Sequence, residues 1–142
     1  MLFPPVVTEN KSCELCPRAC HADRTKTERG ACNNDYRMRI GKMMLHEWEE
    51  PCISVGAGAG AIFFGGCPLA CVYCQNQKLS HCGAGAYRTV EELTDAMLEL
   101  QKSGASCIDL VSATPFTYEV VMALRSAKER GLTLPIVWNT RV

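Results

Sequence analysis

The second half of the chain alternates short apolar runs with longer amphipathic stretches. Apolar runs at 61–64, 107–113 and 134–138 have the length and composition of buried strands. Between them, the stretches 89–104 and 117–131 carry apolar residues at every third or fourth position, which is the period of an amphipathic helix. The order strand, helix, strand, helix, strand (βαβαβ) predicts an α/β fold with a parallel sheet and right-handed crossovers.

Both predicted helices have recognisable ends. Thr89 and Glu92 have the spacing of a capping box, and Gly104 and Gly131 follow the last periodic residues as stop signals. The residues expected to face the core are Val90, Leu93, Met97 and Leu100 in the first helix and Val120, Val121, Leu124 and Ala127 in the second.

The first half of the chain is organised differently. Residues 1–35 are polar, rich in cysteine and without a clear period, which predicts a small segment held by metal ligands and not by an apolar core. Residues 36–60 are interpreted as a linking region with a short strand at Tyr36–Ile40 and a glycine-rich turn. That turn precedes the apolar run 61–64, whereas a phosphate-binding loop follows a strand, so no phosphate site is predicted there. The repeating α/β part covers residues 61–142.

The composition narrows the choice of partners. Fifteen basic and fifteen acidic residues cancel, so the charge indicates neither nucleic acid nor a membrane as a partner. The chain has no apolar run of the roughly 20 residues that span a bilayer and no signal sequence at its start, which predicts a cytoplasmic protein. It has ten cysteines, and because disulfides are rare in the cytoplasm, these indicate metal ligands.

Three of these cysteines, Cys67, Cys71 and Cys74, follow the first apolar run with the spacing CxxxCxxC, and we refer to them as the triad. A cubane cluster has four irons, so three thiolates leave one iron open to a small molecule. The carboxyl end of a parallel strand is also where α/β folds place their ligands. The spacing therefore predicts a [4Fe-4S] site at the triad.

Two other interpretations of the triad fit the sequence. A zinc ion would need a fourth ligand, for which His81 or Cys82 is available. The spacing i, i+4, i+7 also fits one buried helix face with free thiols, although Gly65, Gly66 and Pro68 disfavour a helix at that point.

The triad carries a resemblance to a known family. CxxxCxxC with an aromatic residue before the last cysteine, here Tyr73, is similar to the signature of radical SAM proteins. The surrounding sequence HEWEEPCISVGAGAGAIFFGGCPLACVYCQN resembles the pyruvate formate-lyase activating enzyme-like branch of uncharacterised iron–sulfur proteins, as do CELCPRAC, IDLVSATPF and LPIVWNT.

The resemblance implies the N-terminal half of a partial (β/α) barrel that binds a [4Fe-4S] cluster and S-adenosylmethionine at the carboxyl ends of its strands. It implies reductive cleavage of S-adenosylmethionine to a 5′-deoxyadenosyl radical, with Tyr73 beside the adenine. Many activating enzymes hold the methionine amino group with a Gly-Gly-Glu segment, and Ser112, Ala113 and Thr114 stand at that place here.

The resemblance also implies partners. These are an electron donor of the flavodoxin or ferredoxin type, a protein substrate that loses a hydrogen atom from a glycine, and the missing C-terminal half of the barrel. The competing interpretation is a truncated metal-binding protein without catalytic activity.

A second group of cysteines, the quartet, lies in the N-terminal segment and consists of Cys13, Cys16, Cys20 and Cys32. Four thiolates this close in sequence suit a zinc ion or a second iron–sulfur cluster. Metal binding would stabilise the segment, and a cluster would in addition relay electrons. His21 is an alternative ligand, and a segment without metal is the third interpretation.

Several polar residues are candidates for contacts with the cofactor or the substrate. Gln75 and Asn76 follow the triad and Asn139 ends the third apolar run, and each fits either a ligand contact or a turn. The acidic patch His46–Glu50 fits either acid–base chemistry or a solvated surface. The remaining cysteines are expected to be small buried residues: Cys52, Cys82 and Cys107.

Overall fold

The computed structural model describes residues 11–140, so the first ten residues of the predicted segment 1–35 lie outside the described residues. The strands are β1 (Arg39–His46), β2 (Ala59–Phe64), β3 (Ala86–Tyr87), β4 (Ile108–Val111) and β5 (Ile136–Asn139). The helices are α1 (Gln77–Ser80), α2 (Val90–Lys102) and α3 (Thr117–Glu129), and a 3₁₀ turn at Thr114–Phe116 leads into α3. None of the helices in the described range has both the length and the apolar character that crossing a bilayer requires.

The predicted alternation of strands and helices is confirmed. The sheet has the order β3-β1-β2-β4-β5, and within it β2, β4 and β5 run parallel. α2 packs against α3 and against one face of the sheet, where it contacts β1, β2 and β4. The glycine-rich segment is confirmed as a turn that leads into β2. The carboxyl ends of the parallel strands therefore meet at one edge of the sheet.

The sheet is mixed and not wholly parallel, because β1 pairs antiparallel with both β2 and β3. The sequence predicted a short strand at Tyr36–Ile40, whereas β1 starts and ends later. Met43 and Leu45 of β1 pack against the core, and the residues that alternate with them face the other side of the sheet. Met44, on that other side, is also apolar, and this obscured the period of two.

The predicted helix ends and core faces are largely confirmed. Thr89 and Glu92 form the capping box: the Glu92 N–H donates to Thr89 Oγ1 at 3.1 Å, and the Thr89 N–H donates to Glu92 Oε2 at 2.8 Å. The four residues of α2 that were predicted to face the core are buried or half-buried. The prediction for Val121 is wrong, since its side chain is 36% exposed. The buried side of α3 is formed instead by Glu119, Val120, Ala123 and Ala127.

Candidate functional site

The triad lies in the loop that leaves the carboxyl end of β2. Cys67 is buried, and Cys71 and Cys74 are half-buried. All three line one cavity of about 290 Å³. The other residues that line this triad cavity are Tyr73, Gln75, Asn76, Ser80 and His81. The structure thus brings the three predicted thiols to one cavity, together with the aromatic and amide side chains singled out beside them.

The loop conformation excludes the interpretation of the triad as a buried helix face. Residues 67–76 contain turns but no helix, and Ala70 has a left-handed φ of 48°. Cys71 and Cys74 are only half-buried, so they are not core residues. That interpretation of the spacing is therefore wrong.

Local contacts hold the end of the loop and leave its aromatic residue open. The Cys74 N–H donates to the Cys71 carbonyl at 3.2 Å, and Cys74 Sγ lies 3.2 Å from Ser80 Oγ at the end of α1. Tyr73 is 85% exposed. Its ring therefore stands open to a molecule bound in the triad cavity.

A cluster and a single metal ion place different demands on the donors around the triad cavity. Within residues 11–140, no three Cys, His, Asp or Glu side chains are placed so that they could hold one metal ion. A single zinc ion needs its thiolates about 2.3 Å from one point, whereas a cubane binds each thiolate on a different iron and so spaces them more widely. The three cysteines around one cavity supply the thiolates that either group would need. His81 lines the cavity, but Cys82 is exposed and does not.

Buried hydrogen bonds from the N-terminal segment hold the backbone that leads into the triad. Asn34 is 2% exposed, and its Nδ2 donates to the Gly65 carbonyl at 2.8 Å. Arg39 Nη2 donates to Asn34 Oδ1 at 2.9 Å and to the Asn33 carbonyl at 3.0 Å. Gly66 has a φ of 78°, and a Cβ there would overlap the Cys32 carbonyl oxygen. We call these contacts of Asn34 the Asn34 brace.

The N-terminal segment makes a second buried contact, with the start of α3. Arg24 is 3% exposed, and its Nη2 donates to the Pro115 carbonyl at 2.9 Å. Its guanidinium lies 5.6 Å from the centre of the Phe116 ring. The segment is therefore bound both to the backbone before the triad and to the turn that leads into α3.

The quartet cysteines do not all face the same place. Burial raises the pKa of the Cys13 thiol, and the nearby thiols of Cys20 and Cys32 raise it further. Cys16 lines a small cavity beside Cys67, Ser112 and Pro115. The thiols of Cys20 and Cys32 thus lie close enough to Cys13 to influence it, while Cys16 borders the triad loop.

His21, the alternative quartet ligand, and the three cysteines outside the triad and the quartet differ in their exposure to solvent. His21 Nδ1 lies 2.9 Å from Ser12 Oγ and 3.5 Å from a Glu14 oxygen, and its side chain is 60% exposed. Cys107 is buried as predicted, but the predictions for Cys52 and Cys82 are wrong, because both are exposed. Both lie in loops outside the strands and helices, Cys52 directly after a proline and Cys82 directly after a histidine.

Asn139 ends β5 at the same edge of the sheet as the triad loop. It is paired with Val111 in the register of β4, and its carbonyl accepts from the Ser112 N–H at 3.0 Å. Ser112 has a left-handed φ of 63°. Thr114 and Thr140 face each other, with their Oγ1 atoms 2.9 Å apart. The hydroxyl and amide groups that follow β4 and β5 are thus gathered where a parallel sheet places ligand contacts.

Asp109 is a polar residue of this region that the sequence analysis missed. It is fully buried in β4, and neither of its carboxylate oxygens makes a hydrogen bond of good geometry among residues 11–140, although the Asn139 side chain lies near enough to lower its pKa in part. Burial raises its pKa to about 6, with further contributions from the nearby carboxylates of Glu49 and Glu50. Glu49 is half-buried, with an oxygen 3.4 Å from His46 Nδ1. An acidic residue inside the apolar run 107–113 was the signal in the sequence.

We expect Asp109→Asn to raise the free energy of unfolding at pH 8 and to change it little at pH 4. The pKa of about 6 in the folded protein lies above the ordinary 3.8, so the folded chain holds this proton more tightly than the unfolded chain does. The resulting stability is fully present below about pH 4 and is lost as the pH rises through 6. The difference at pH 8 is about 3 kcal/mol.

Urea unfolding at the two pH values measures this effect. Asp95→Asn, which removes an exposed carboxylate from α2, is the matched control. An equal change at pH 4 and pH 8 for Asp109→Asn would contradict the expectation.

The sequence of the α/β part matches the radical SAM superfamily. The family model of that superfamily matches residues 61–141, which is more than half of the chain, so the chain belongs to this family. At the level of the superfamily, membership indicates iron–sulfur and S-adenosylmethionine radical chemistry. The mixed α/β sheet is compatible with part of a radical SAM fold.

Comparison with individual proteins adds one relative. The chain is 25% identical to an uncharacterised protein of Methanocaldococcus jannaschii, in an alignment that covers 93% of this chain and 39% of the relative. The chain therefore spans well under half of the length of the curated relative it matches. No solved structure gives a significant match.

Proposed function

We propose that Cys67, Cys71 and Cys74 hold a [4Fe-4S] cluster whose fourth iron binds S-adenosylmethionine. The observation that carries this proposal is the convergence of three thiols on one cavity at the carboxyl edge of the sheet, in a chain of the radical SAM superfamily. When bound, the cluster supplies the electron that cleaves S-adenosylmethionine to methionine and a 5′-deoxyadenosyl radical.

The residues around the triad bind and orient the cofactors in this proposal. The exposed Tyr73 ring provides a flat surface for the adenine. The amides of Gln75 and Asn76, which line the triad cavity, donate hydrogen bonds to the cluster sulfides or to the substrate. Asn139 binds S-adenosylmethionine from the end of β5. This chain has Ser112, Ala113 and Thr114 in the place of the Gly-Gly-Glu segment. Ser112 and Thr114 are therefore the polar residues there that bind the methionine amino group in this proposal.

The proposed reaction class is that of an activating enzyme, in which the radical removes a hydrogen atom from a glycine of a protein substrate. An electron donor of the flavodoxin or ferredoxin type reduces the cluster, and the reaction takes place in the cytoplasm. The support is the resemblance around the triad and in the N-terminal segment. Because the chain spans 39% of its relative, we propose that the remaining barrel strands come from a further segment or a second chain.

The quartet has a structural role in this proposal. Zinc or a second iron–sulfur cluster bound by Cys13, Cys20 and Cys32, with Cys16 or His21 as the further ligand, would draw these side chains closer together than the structure has them. It would thereby stabilise the segment that carries the Asn34 brace. The support is the closeness of the Cys20 and Cys32 thiols to Cys13 and the packing of the Cys32 carbonyl against Gly66.

Anaerobic reconstitution with iron and sulfide, followed by electron paramagnetic resonance of the reduced protein, tests the proposal. We expect a [4Fe-4S] signal that changes when S-adenosylmethionine is added, and release of 5′-deoxyadenosine on turnover. Cys71→Ala should abolish both responses, because it removes one of three ligands. Cys52→Ala removes an exposed thiol outside the triad and the quartet and should leave both intact.

The change on adding S-adenosylmethionine is the decisive readout, because a second cluster at the quartet would give a signal of its own. A signal that ignores S-adenosylmethionine in the unsubstituted protein would favour a metal-binding protein without catalytic activity. Equal losses in Cys71→Ala and Cys52→Ala would contradict the assignment of the site.

A further inference from the structure

A second cavity, of about 680 Å³, adjoins the triad cavity. Cys74, Gln75 and Asn76 line both, so the residues at the end of the triad loop form a shared wall. The volume lies within the range of small-ligand sites. A molecule in this second cavity would lie next to the place where the proposed radical forms.

The second cavity is built on the face of the sheet opposite α2. β1 turns Lys42, Met44 and His46 to that face, alternating with residues that pack against the core. Phe63 of β2 lies beside them, 6.0 Å from the His46 ring. α1 closes one side, and it comes so near to β1 that a Cβ on Gly41 would overlap the Leu79 side chain.

The lining combines positive charge with apolar surface. Lys42 and Lys78 line the cavity, and neither forms an ion pair with any residue in the described range 11–140. None of the described lining residues is acidic. Met44, which is 40% exposed, and Phe63 provide an apolar floor. Such a lining attracts an anionic group attached to an apolar one.

We propose that this cavity binds a segment of the protein substrate in which an acidic side chain stands next to an aromatic or aliphatic one. The acidic group pairs with Lys42 and Lys78, and the apolar group packs on Met44 and Phe63. S-Adenosylmethionine is a poor occupant, because its sulfonium and ammonium groups are cationic. The identity of the occupant as the substrate rests on the proposed function, whereas the binding preference rests on the cavity alone.

The test follows the methyl groups of methionine in the reduced chain by nuclear magnetic resonance with ¹³C-methyl labelling. Met44 reports on the cavity, and Met122, 54% exposed on α3, reports on adventitious surface binding. The probe is the peptide N-acetyl-Asp-Phe-amide. We expect a saturable shift of the Met44 methyl signal and none for Met122, with binding about tenfold weaker for N-acetyl-Asn-Phe-amide, which lacks the charge.

Substitutions test the two lysines. The double variant Lys42→Gln/Lys78→Gln should weaken binding of the acidic peptide about tenfold and leave the neutral peptide unchanged. Lys128→Gln, on the far end of α3, removes one exposed charge away from the cavity and should change nothing. Equal binding of the two peptides, or an equal loss in the control, would overturn the proposal.

Two further titrations identify the occupant. 4-Phenylbutyrate binding as tightly as the peptide would assign the cavity to a free small acid, and an equal Met44 shift with S-adenosylmethionine would assign it to the cofactor. Either result would overturn the assignment to a protein segment. None of these titrations needs the cluster, so a failure here is separable from a failure of the paramagnetic resonance experiment.

Discussion

Gly66→Ala is expected to lower the free energy of unfolding by about 4 kcal/mol and to prevent the triad from assembling its cluster. The φ of 78° is unfavourable for alanine, and the added Cβ would overlap the Cys32 carbonyl oxygen and the Asn34 side chain. The Gly66 N–H also donates to the Leu79 carbonyl at 2.9 Å, so the backbone cannot shift away without losing that bond. Urea unfolding and the response of the paramagnetic signal to S-adenosylmethionine measure the two effects.

Gly56→Ala is the matched control for this substitution. Gly56 has a similar φ of 65°, but a Cβ there would meet nothing within 4 Å. It should show only the backbone cost of a left-handed alanine, about 1 kcal/mol, and leave the cluster response intact. Equal costs at the two positions would mean that the contact between Gly66 and Cys32 is not tight in solution.

Asn34→Leu is expected to lower the free energy of unfolding by about 3 kcal/mol and to lower the amount of cluster bound at the triad. Leucine has nearly the shape of asparagine, but it leaves the Gly65 carbonyl without the Asn34 donor and Arg39 Nη2 with only the Asn33 carbonyl as acceptor. The backbone before Cys67 then loses its fixed position. Urea unfolding and iron bound per chain after reconstitution are the measurements.

Asn34→Asp separates the two halves of the Asn34 brace. Aspartate keeps an acceptor for Arg39 but has no N–H for the Gly65 carbonyl, so its effect on stability should be smaller than that of leucine. Its effect on iron binding should stay close to that of leucine, because the bond to the triad loop is lost in both variants. Normal iron binding in both variants would refute a positioning role for Asn34.

The parallel half of the sheet was predictable because its signals are local. The apolar runs of β2, β4 and β5 and the Thr89–Glu92 capping box each lie within a short stretch of sequence. The convergence of the triad on one cavity also followed from three cysteines placed after a strand.

The features that were missed depend on residues far apart in the chain. β1 joins the sheet by pairing antiparallel with β2, and the glycine-rich turn lies between these two strands. β3 pairs with the other edge of β1. The bond from Asn34 to Gly65 joins two segments that carry no common pattern. Val121 was misplaced because a helix face defined by sequence alone is wider than the face that another element covers.

The contacts of Asn34 and Arg24 have a consequence for how such a chain can change over evolution. The leading segment is joined to the triad loop by one buried side chain and to the start of α3 by another. A recombination event that exchanged this segment for an unrelated one would remove the supports of two loops at once. We therefore expect the cysteine-rich N-terminal segment and the strand that follows it to be inherited as one unit. Asn34 and Arg24 should change only together with the loops they hold.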